Sequence, residues 1–156
     1  MKDGSKRYNC TSIDLHDRSV IASITDRNIT ADLAIRTLEK AIDSQPGIDL
    51  SKLLLHSDQG SQYTSKEFTE FCEKCGITQS MSKAVYPYDN IPMERYFNTL
   101  KNDLIYKHYY RTEDELYIVV EKFEYVQYTM YVRILIMTTK RLTRHTTGLH
   151  NPCGRN

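Results

Sequence analysis

The stretch LLLHSDQGSQYTS, residues 53–65, decides the fold of this chain. Three leucines followed at once by polar residues are typical of a short buried strand that ends in a turn. Asp58 therefore lies just beyond the carboxyl end of the predicted strand. Because ligands bind at this edge of an open α/β sheet, we expect a functional site around Asp58.

A second polar cluster, YDNIPMERYF at residues 88–97, opens a predicted amphipathic helix and contains Glu94. Glu94, Asn98 and Lys101 fall on one polar face of this helix, beside an apolar stripe. Two carboxylates on separate elements, Asp58 and Glu94, suit an acidic metal site. Taken alone, the polar face has an alternative interpretation as a solvated surface with ordinary ion pairs.

Length and charge limit the class of protein. The 156 residues suffice for one domain with a core, and the net charge of +1 gives no strong overall field. The sequence shows no signal peptide and no apolar run long enough to cross a membrane. We therefore expect a protein of a reducing, cytoplasmic compartment.

Cys72 and Cys75 have the C-x-x-C spacing of zinc and redox sites. They lie on the apolar face of a predicted helix that ends at Gly76. A zinc site would need a second pair of ligands, and the sequence offers none nearby. We favour a structural role for both cysteines.

The rest of the chain alternates strands and helices. We predict two antiparallel strands at 8–15 and 20–24, a crossover helix that begins after Thr30, a strand at 77–82 and a helix over 112–127. This order indicates an α/β sheet that contains a parallel connection. Because loop-like residues precede the first strand, we expect that an earlier strand is missing.

Several ordered motifs resemble the transposases of the third bacterial insertion-sequence family. They are residues 56–65, residues 79–82, the pair Asp89-Asn90 followed by Glu94, and the pair Leu100-Lys101. The spacing of 35 residues between Asp58 and Glu94 is a hallmark of that group. The resemblance implies a ribonuclease H-like fold similar to retroviral integrases, with a mixed sheet flanked by helices, here lacking the first strand. It also implies DNA strand cleavage and transfer during transposition.

The resemblance implies roles for individual residues. Asp58 corresponds to the second acid of an Asp, Asp, Glu triad and Glu94 to the third, and both would bind metal. The implied cofactor is Mg²⁺ or Mn²⁺, with two ions in the intact family. The residues expected to contact DNA are Lys101, Asn98, Gln62 and Tyr63. The residues expected to shape the loops are His56, Ser57, Gly60, Asp89 and Asn90.

The partners implied are DNA, as transposon ends and target, the DNA-binding protein of the upstream frame, and further copies of the chain on DNA. Such a protein would associate with the nucleoid when bound. No membrane partner is expected.

The sequence also departs from that family. The family's first acid lies upstream of the segment that resembles Lys2-Asp3-Gly4, so we expect it to be absent here. Val85 stands where relatives usually have glycine. Residues 129–156 lack the family's final motifs and contain five basic and no acidic residues.

Codons for residues 129–144, read one base earlier, can encode the family's final motifs in order. We therefore expect a partial catalytic core at 1–128 and an out-of-frame, poorly ordered tail at 129–156. Such a chain would be a defective remnant, inactive alone.

Two other functions remain open at this point. One is a non-catalytic fragment that binds nucleic acid or interferes with an intact transposase. The other is a ribonuclease H-like nuclease in which Asp14 supplies the first acid. For Asp14 we favour a structural role, in which it holds the turn at Asp17-Arg18.

Overall fold

The structure is a computed structural model that describes residues 5–82, 91–126 and 134–142. A single 3-10 turn, Leu50–Lys52, precedes the third strand, and a π-helical turn, Lys101–Ile105, continues the third helix. The strands and helices are, in chain order, β1 (Arg7–Asp14), β2 (Val20–Asp26), α1 (Ala31–Asp43), β3 (Leu54–Ser57), α2 (Lys66–Cys75), β4 (Thr78–Met81), α3 (Ile91–Leu100), α4 (Glu113–Val126) and β5 (Ile134–Leu142).

The helix boundaries follow local capping chemistry. The side chain of Thr30 accepts a hydrogen bond from the Leu33 N–H at the start of α1, and Ser65 accepts one from the Phe68 N–H at the start of α2. Gly76 ends α2 in the left-handed conformation, with φ of 73°. These predicted boundaries are confirmed. Within the described part of the chain, no helix is long and apolar enough to cross a membrane.

The sheet is mixed, and its strands lie in the order β2-β1-β5-β3-β4. β1 pairs with β2 and with β5 in antiparallel fashion. β3 pairs with β4 and with β5 in parallel fashion. The carboxyl ends of β2, β3, β4 and β5 therefore point to one edge of the sheet, which is the edge that holds Asp58.

The central position of β5 differs from expectation. β5 comes from residues 134–142, inside the tail that we expected to be out of frame and poorly ordered, and it pairs with both β1 and β3. Its antiparallel pairing with β1 takes the place beside β1 that an earlier hairpin strand would need. The out-of-frame origin of the tail and the domain boundary at residue 128 stay predictions.

Two apolar clusters cover the two faces of the sheet. The first cluster lies under α1 and α2 and includes Leu33, Leu38, Leu55, Phe68 and Met137. The second cluster lies under α3 and α4 and includes Ile13, Met93, Phe97, Leu100 and Val120. Each helix buries its apolar stripe in one of these clusters, which fixes α3 on the face of the sheet opposite α1 and α2.

Candidate functional site

Asp58 follows β3 directly and lies in a tight polar turn. Its Oδ1 accepts a hydrogen bond from the Gly60 N–H at 2.9 Å, and the Gly60 carbonyl accepts bonds from Tyr63 N–H at 2.9 Å and Thr64 N–H at 3.1 Å. A Cβ at Gly60 would lie 2.5 Å from Gln62 Nε2 and 2.9 Å from Asp58 Oδ1. A side chain at position 60 would therefore displace the ends of the Gln62 and Asp58 side chains, and the hydrogen bond from the Gly60 N–H orients the Asp58 carboxylate.

His56 and Ser57 join this turn to the neighbouring strand. His56 Nδ1 lies 3.1 Å from Ser80 Oγ, and His56 Nε2 lies 2.9 Å from Ser82 Oγ. The carbonyl of buried Ser57 accepts a bond from the Ser82 N–H at 2.9 Å. These contacts tie the end of β3 to the end of β4, which fits the loop-shaping role expected for both residues.

Gln62 and Tyr63, which the resemblance implies as DNA contacts, are both buried in this structure. Tyr63 is 0% exposed, packs edge-on against Phe68 at 5.5 Å between ring centroids, and its hydroxyl lies 3.5 Å from Cys10 Sγ. Gln62 is only 6% exposed and lies against Gly60. Both side chains support the Asp58 turn from inside the protein, because the turn folds back over the first cluster.

Glu94 lies in the first turn of α3 and is exposed. Met93 and Phe97, one residue before it and three after it, are buried in the second cluster and orient the helix. Glu94 and Asn98 line an open groove of about 500 Å³ together with Ile91, Arg95, Thr99, Asn102 and Asp103. α3 also contacts β5, the strand that pairs with β3.

Lys101 does not line this groove, although its spacing from Glu94 predicted a shared face. The chain changes there from α-helix to the π-helical turn, and the Lys101 carbonyl accepts a hydrogen bond from the Tyr106 N–H at 2.8 Å. Asp89, Asn90 and Val85 lie outside the described residues.

The donor set has the chemistry of a magnesium site. Asp58 and Glu94 supply carboxylate oxygens, which hard divalent cations prefer. Among residues 5–82, 91–126 and 134–142, no three His, Cys, Asp or Glu side chains are close enough together to hold an ion. Asp58 and Glu94 therefore have the side-chain type that such a cation binds, but two carboxylates are fewer than a complete set of ligands.

Asp14 holds a turn, as favoured from the sequence. Its Oδ1 accepts a hydrogen bond from the His16 N–H at 2.7 Å, and its carbonyl accepts one from the Arg18 N–H at 2.9 Å. In the sheet register Asp14 is level with Leu55 rather than with Asp58. It therefore lies about 10 Å further down the strands from Asp58, and this placement argues against a shared metal.

Cys72 and Cys75 also match the structural interpretation. Cys72 is buried in the first cluster and Cys75 packs against it. Burial raises the pKa of the Cys72 thiol to about 12, which keeps the thiol protonated.

A buried polar network on the α4 side of the sheet was missed from the sequence. Asn9 Nδ2 donates to Ser23 Oγ at 2.7 Å, and Thr11 Oγ1 donates to Asn9 Oδ1 at 2.6 Å. Glu124 of α4 lies against this network, and its burial raises its pKa to about 7 despite hydrogen bonds from Ser23 and Asn9. The available signal was its spacing, since Glu124 continues at i+4 the apolar positions of α4 that include Val120.

Comparisons with known proteins identify relatives of the chain. The family model described as Integrase core domain matches residues 1–87. The transposase for insertion sequence element IS904 of Lactococcus lactis is 33% identical over 124 residues, which are 77% of this chain and 46% of that protein. The transposase InsF for insertion sequence IS3A of Escherichia coli is 28% identical over 122 residues, which are 77% of this chain and 40% of that protein. The chain spans less than half the length of these relatives.

A solved structure shares the fold. A chain of the simian T-cell lymphotropic virus intasome in complex with PP2A regulatory subunit B56 gamma matches with a TM-score of 0.59 and 20% identity, over 81% of this chain and 46% of that chain. This likeness confirms the predicted ribonuclease H-like fold class. The relatives confirm the resemblance to insertion-sequence transposases that the ordered motifs predicted.

Proposed function

Because the chain belongs to the integrase core domain family, we propose that it is catalytic-core sequence of a transposase, with Asp58 and Glu94 as metal ligands. The observation that carries this proposal is the position of Asp58. Its carboxylate lies at the carboxyl end of a central parallel strand, in a turn whose geometry depends on Gly60, and α3 with Glu94 lies on the adjacent face. Ligands of α/β sheets bind at this edge.

The proposed reaction is phosphoryl transfer between DNA strands. When bound, two Mg²⁺ or Mn²⁺ ions supply activation of a water or 3′-hydroxyl and stabilisation of the leaving oxygen. The chain's own part is to hold Asp58 rigidly and to present Glu94 from α3. The proposed DNA contacts are Asn98, which lines the groove beside Glu94, and Lys101. The further partners proposed are additional copies of the chain and the DNA-binding protein of the upstream frame.

The metal site can be tested without a cleavage assay. In the register Met137 pairs with Ser57, so position 138 of β5 lies beside Asp58. Strand alternation puts position 138 on the α3 face and position 139 on the opposite face, because Met137 and Cys10, the partner of Thr139, belong to the first cluster. An added carboxylate at 138 should therefore complete the ligand set.

We expect Thr138→Asp to tighten Mn²⁺ binding about tenfold in calorimetry, since the charge count of a site sets its affinity. Thr139→Asp is the matched control and should change nothing at the site. Equal affinity in both variants, or tighter binding that survives Asp58→Asn, would contradict the assignment of Asp58.

The DNA reaction is tested with end DNA of the element and Mn²⁺. We expect nicking and strand transfer by the Thr138→Asp chain and their loss on adding Asp58→Asn. DNA binding that persists in EDTA without cleavage in any variant would instead identify a non-catalytic binding fragment.

A further inference from the structure

A basic pocket of about 650 Å³ lies at the end of the sheet where β1 begins and β2 ends. Its basic side chains are those of Lys6, Arg7 and Arg27, and none of the described residues that line it is acidic. Asp26, which precedes Arg27, is paired with Arg36 of α1 and does not line the pocket. Because guanidinium groups bind phosphate oxygens through paired N–H donors, this lining has the chemistry of a site for a phosphate group.

Arg7 gives the basic pocket a positive charge in a fixed position. Its side chain is only 7% exposed and forms an ion pair with Glu113 in the first turn of α4. Its Nη1 donates a hydrogen bond to the Ser5 hydroxyl at 3.1 Å, whereas its Nε–H is buried and has no acceptor among the described residues. A buried donor without an acceptor is unfavourable, and its presence on a side chain that lines the pocket indicates a site for an acceptor.

Arg27 adds an accessible guanidinium group to the basic pocket. Its side chain is 69% exposed, and its Nε donates to Glu113 Oε1 at 2.9 Å. Hydrogen bonds from Arg27 and Arg7 lower the pKa of Glu113, so this carboxylate is charged at neutral pH. One carboxylate does not neutralise two guanidinium groups, and exposed Lys6 contributes a further positive charge. The basic pocket therefore keeps an excess of positive charge that faces solvent.

The sheet register places the basic pocket at the same edge of the sheet as Asp58. Arg7 pairs with Leu142 of β5, whereas Ser57, the residue before Asp58, pairs with Met137. Arg7 therefore lies about 13 Å further along the strands than Asp58 and about 10 Å across them, or roughly 16 Å away. Its contact with α4 also puts its side chain on the face of the sheet that α3 covers.

We propose that the basic pocket binds a backbone phosphate of the DNA strand on which Asp58 and Glu94 act, and so anchors that strand about 16 Å from the metal site. Successive nucleotides of a B-form strand rise about 3.4 Å, so the anchored phosphate lies about five nucleotides from the reacting one. The identity of the anion rests on the proposed function, since the lining residues by themselves suit inorganic phosphate equally well.

The anchor is tested by fluorescence anisotropy with labelled end DNA of the element and the full chain. The measurement is made in EDTA, so that the metal site does not contribute, and at several NaCl concentrations. We expect Arg27→Gln to weaken DNA binding about tenfold and to reduce the slope of log K against log[salt] by about 0.9, the value for one lost phosphate contact. Arg27→Lys keeps the charge and should keep the slope.

Two further variants separate the anchor from other effects of lost charge. Arg18→Gln is the matched control, because Arg18 is an exposed arginine in the turn at the opposite end of β1, and it should change neither affinity nor slope. Lys6→Gln leaves the ion pairs of Glu113 in place and should reduce the slope as Arg27→Gln does. Circular dichroism confirms that each variant is folded.

DNA binding by Arg27→Gln and Lys6→Gln that equals binding by Arg18→Gln would overturn the anchor. Absence of DNA binding by the unaltered chain would overturn it too. Calorimetry with inorganic phosphate is the second arm: phosphate binding that Arg27→Gln abolishes, without any effect of Arg27→Gln on DNA binding, would assign the pocket to a free anion and refute the DNA anchor.

Failure of the anchor can be distinguished from failure of the proposed metal site. If the basic-pocket variants lose DNA affinity while Asp58→Asn leaves Mn²⁺ affinity unchanged, the anchor stands and the metal site fails. If Mn²⁺ binding requires Asp58 while DNA binding ignores Lys6 and Arg27, the metal site stands and the anchor fails.

Discussion

The two carboxylates of the candidate site, Asp58 and Glu94, are positioned by different kinds of interaction. Asp58 lies in a turn held by hydrogen bonds to the Asp58 carboxylate and the Gly60 carbonyl, and the end of the Gln62 side chain lies close to Gly60. Glu94 lies on a helix whose position depends on apolar packing, through Met93 and Phe97. Hydrogen bonds fix the turn locally, whereas α3 relies on a cluster assembled from distant elements. The Asp58 turn should therefore tolerate changes in the second cluster, and Glu94 should not.

The largest effect is expected from Phe97→Ala. Phe97 is 2% exposed and packs edge-on against Tyr96 at 5.2 Å between ring centroids. Loss of a buried phenylalanine costs about 3–5 kcal/mol of unfolding free energy, through lost transfer energy and the cavity left behind. Urea unfolding measures this loss. Exposed Asn98→Ala on the same helix is the control, and a comparable loss there would contradict the proposed dependence on the cluster.

The second-largest expected effect is a pH-dependent change in stability caused by Glu124, which lies on the α4 side of the sheet. Burial raises the pKa of Glu124 in the folded protein to about 7 from an ordinary 4.5. Ionisation of Glu124 is therefore unfavourable in the folded state, so stability falls as pH rises from 4.5 to about 7 and stays low above that value.

Glu124→Gln should remove this penalty. We expect the variant to be more stable than the native chain by about 3 kcal/mol at pH 8, with no difference at pH 4, measured by urea unfolding at both values. Glu39→Gln, at an exposed position of α1 that does not act on Glu124, provides the control. A gain at pH 8 that persists unchanged at pH 4 would show that ionisation is not its cause.

A smaller effect is expected on the Asp58 side. Gly60→Ala places a Cβ against the ends of the Gln62 and Asp58 side chains, which can move aside, so the cost should be at the low end for overpacking, about 1 kcal/mol. Because the contact displaces the Asp58 carboxylate, Mn²⁺ binding should weaken beyond what the loss of stability explains. Calorimetry at a temperature where the variant stays folded separates the two effects. Unchanged metal affinity would show that the turn does not position Asp58.

The smallest expected effect is the difference in unfolding free energy between Asp58→Ala and Glu94→Ala. Asp58→Ala removes the acceptor of the Gly60 N–H and should cost about 1 kcal/mol. Exposed Glu94→Ala should change stability by less than about 0.5 kcal/mol. Both should weaken metal binding. Equal changes in unfolding free energy for the two variants would contradict the proposal that Asp58 and Glu94 are held by different kinds of interaction.

Much of this arrangement could be predicted from local sequence. The switch from leucines to polar residues at position 56 predicts β3 and the turn after it, and the Thr30 and Ser65 caps predict where α1 and α2 begin. These signals are readable because the groups that interact are close neighbours in the chain. The likeness of the ordered motifs to transposases located Asp58 and Glu94 for the same reason.

Other features depend on contacts between distant residues. Tyr63 sits in a polar segment typical of a surface loop, yet the turn buries it against Phe68 and Cys10. The elevated pKa of Glu124 arises only because α4 presses that residue onto the β1–β2 network. Neither the burial of Tyr63 nor the raised pKa of Glu124 can be predicted from the periodicity of a single helix or strand.

The sequence by itself determined the strand before Asp58, the helix that carries Glu94 and the family of the chain, because capping, periodicity and ordered motifs are local properties. The tertiary structure alone decided that residues 134–142 lie at the centre of the sheet, between β1 and β3. Strand pairing joins β5 to segments 80 or more residues upstream through backbone hydrogen bonds, which any sequence of suitable shape can form. The choice of β5 therefore rests on which strand edges the rest of the fold leaves unpaired.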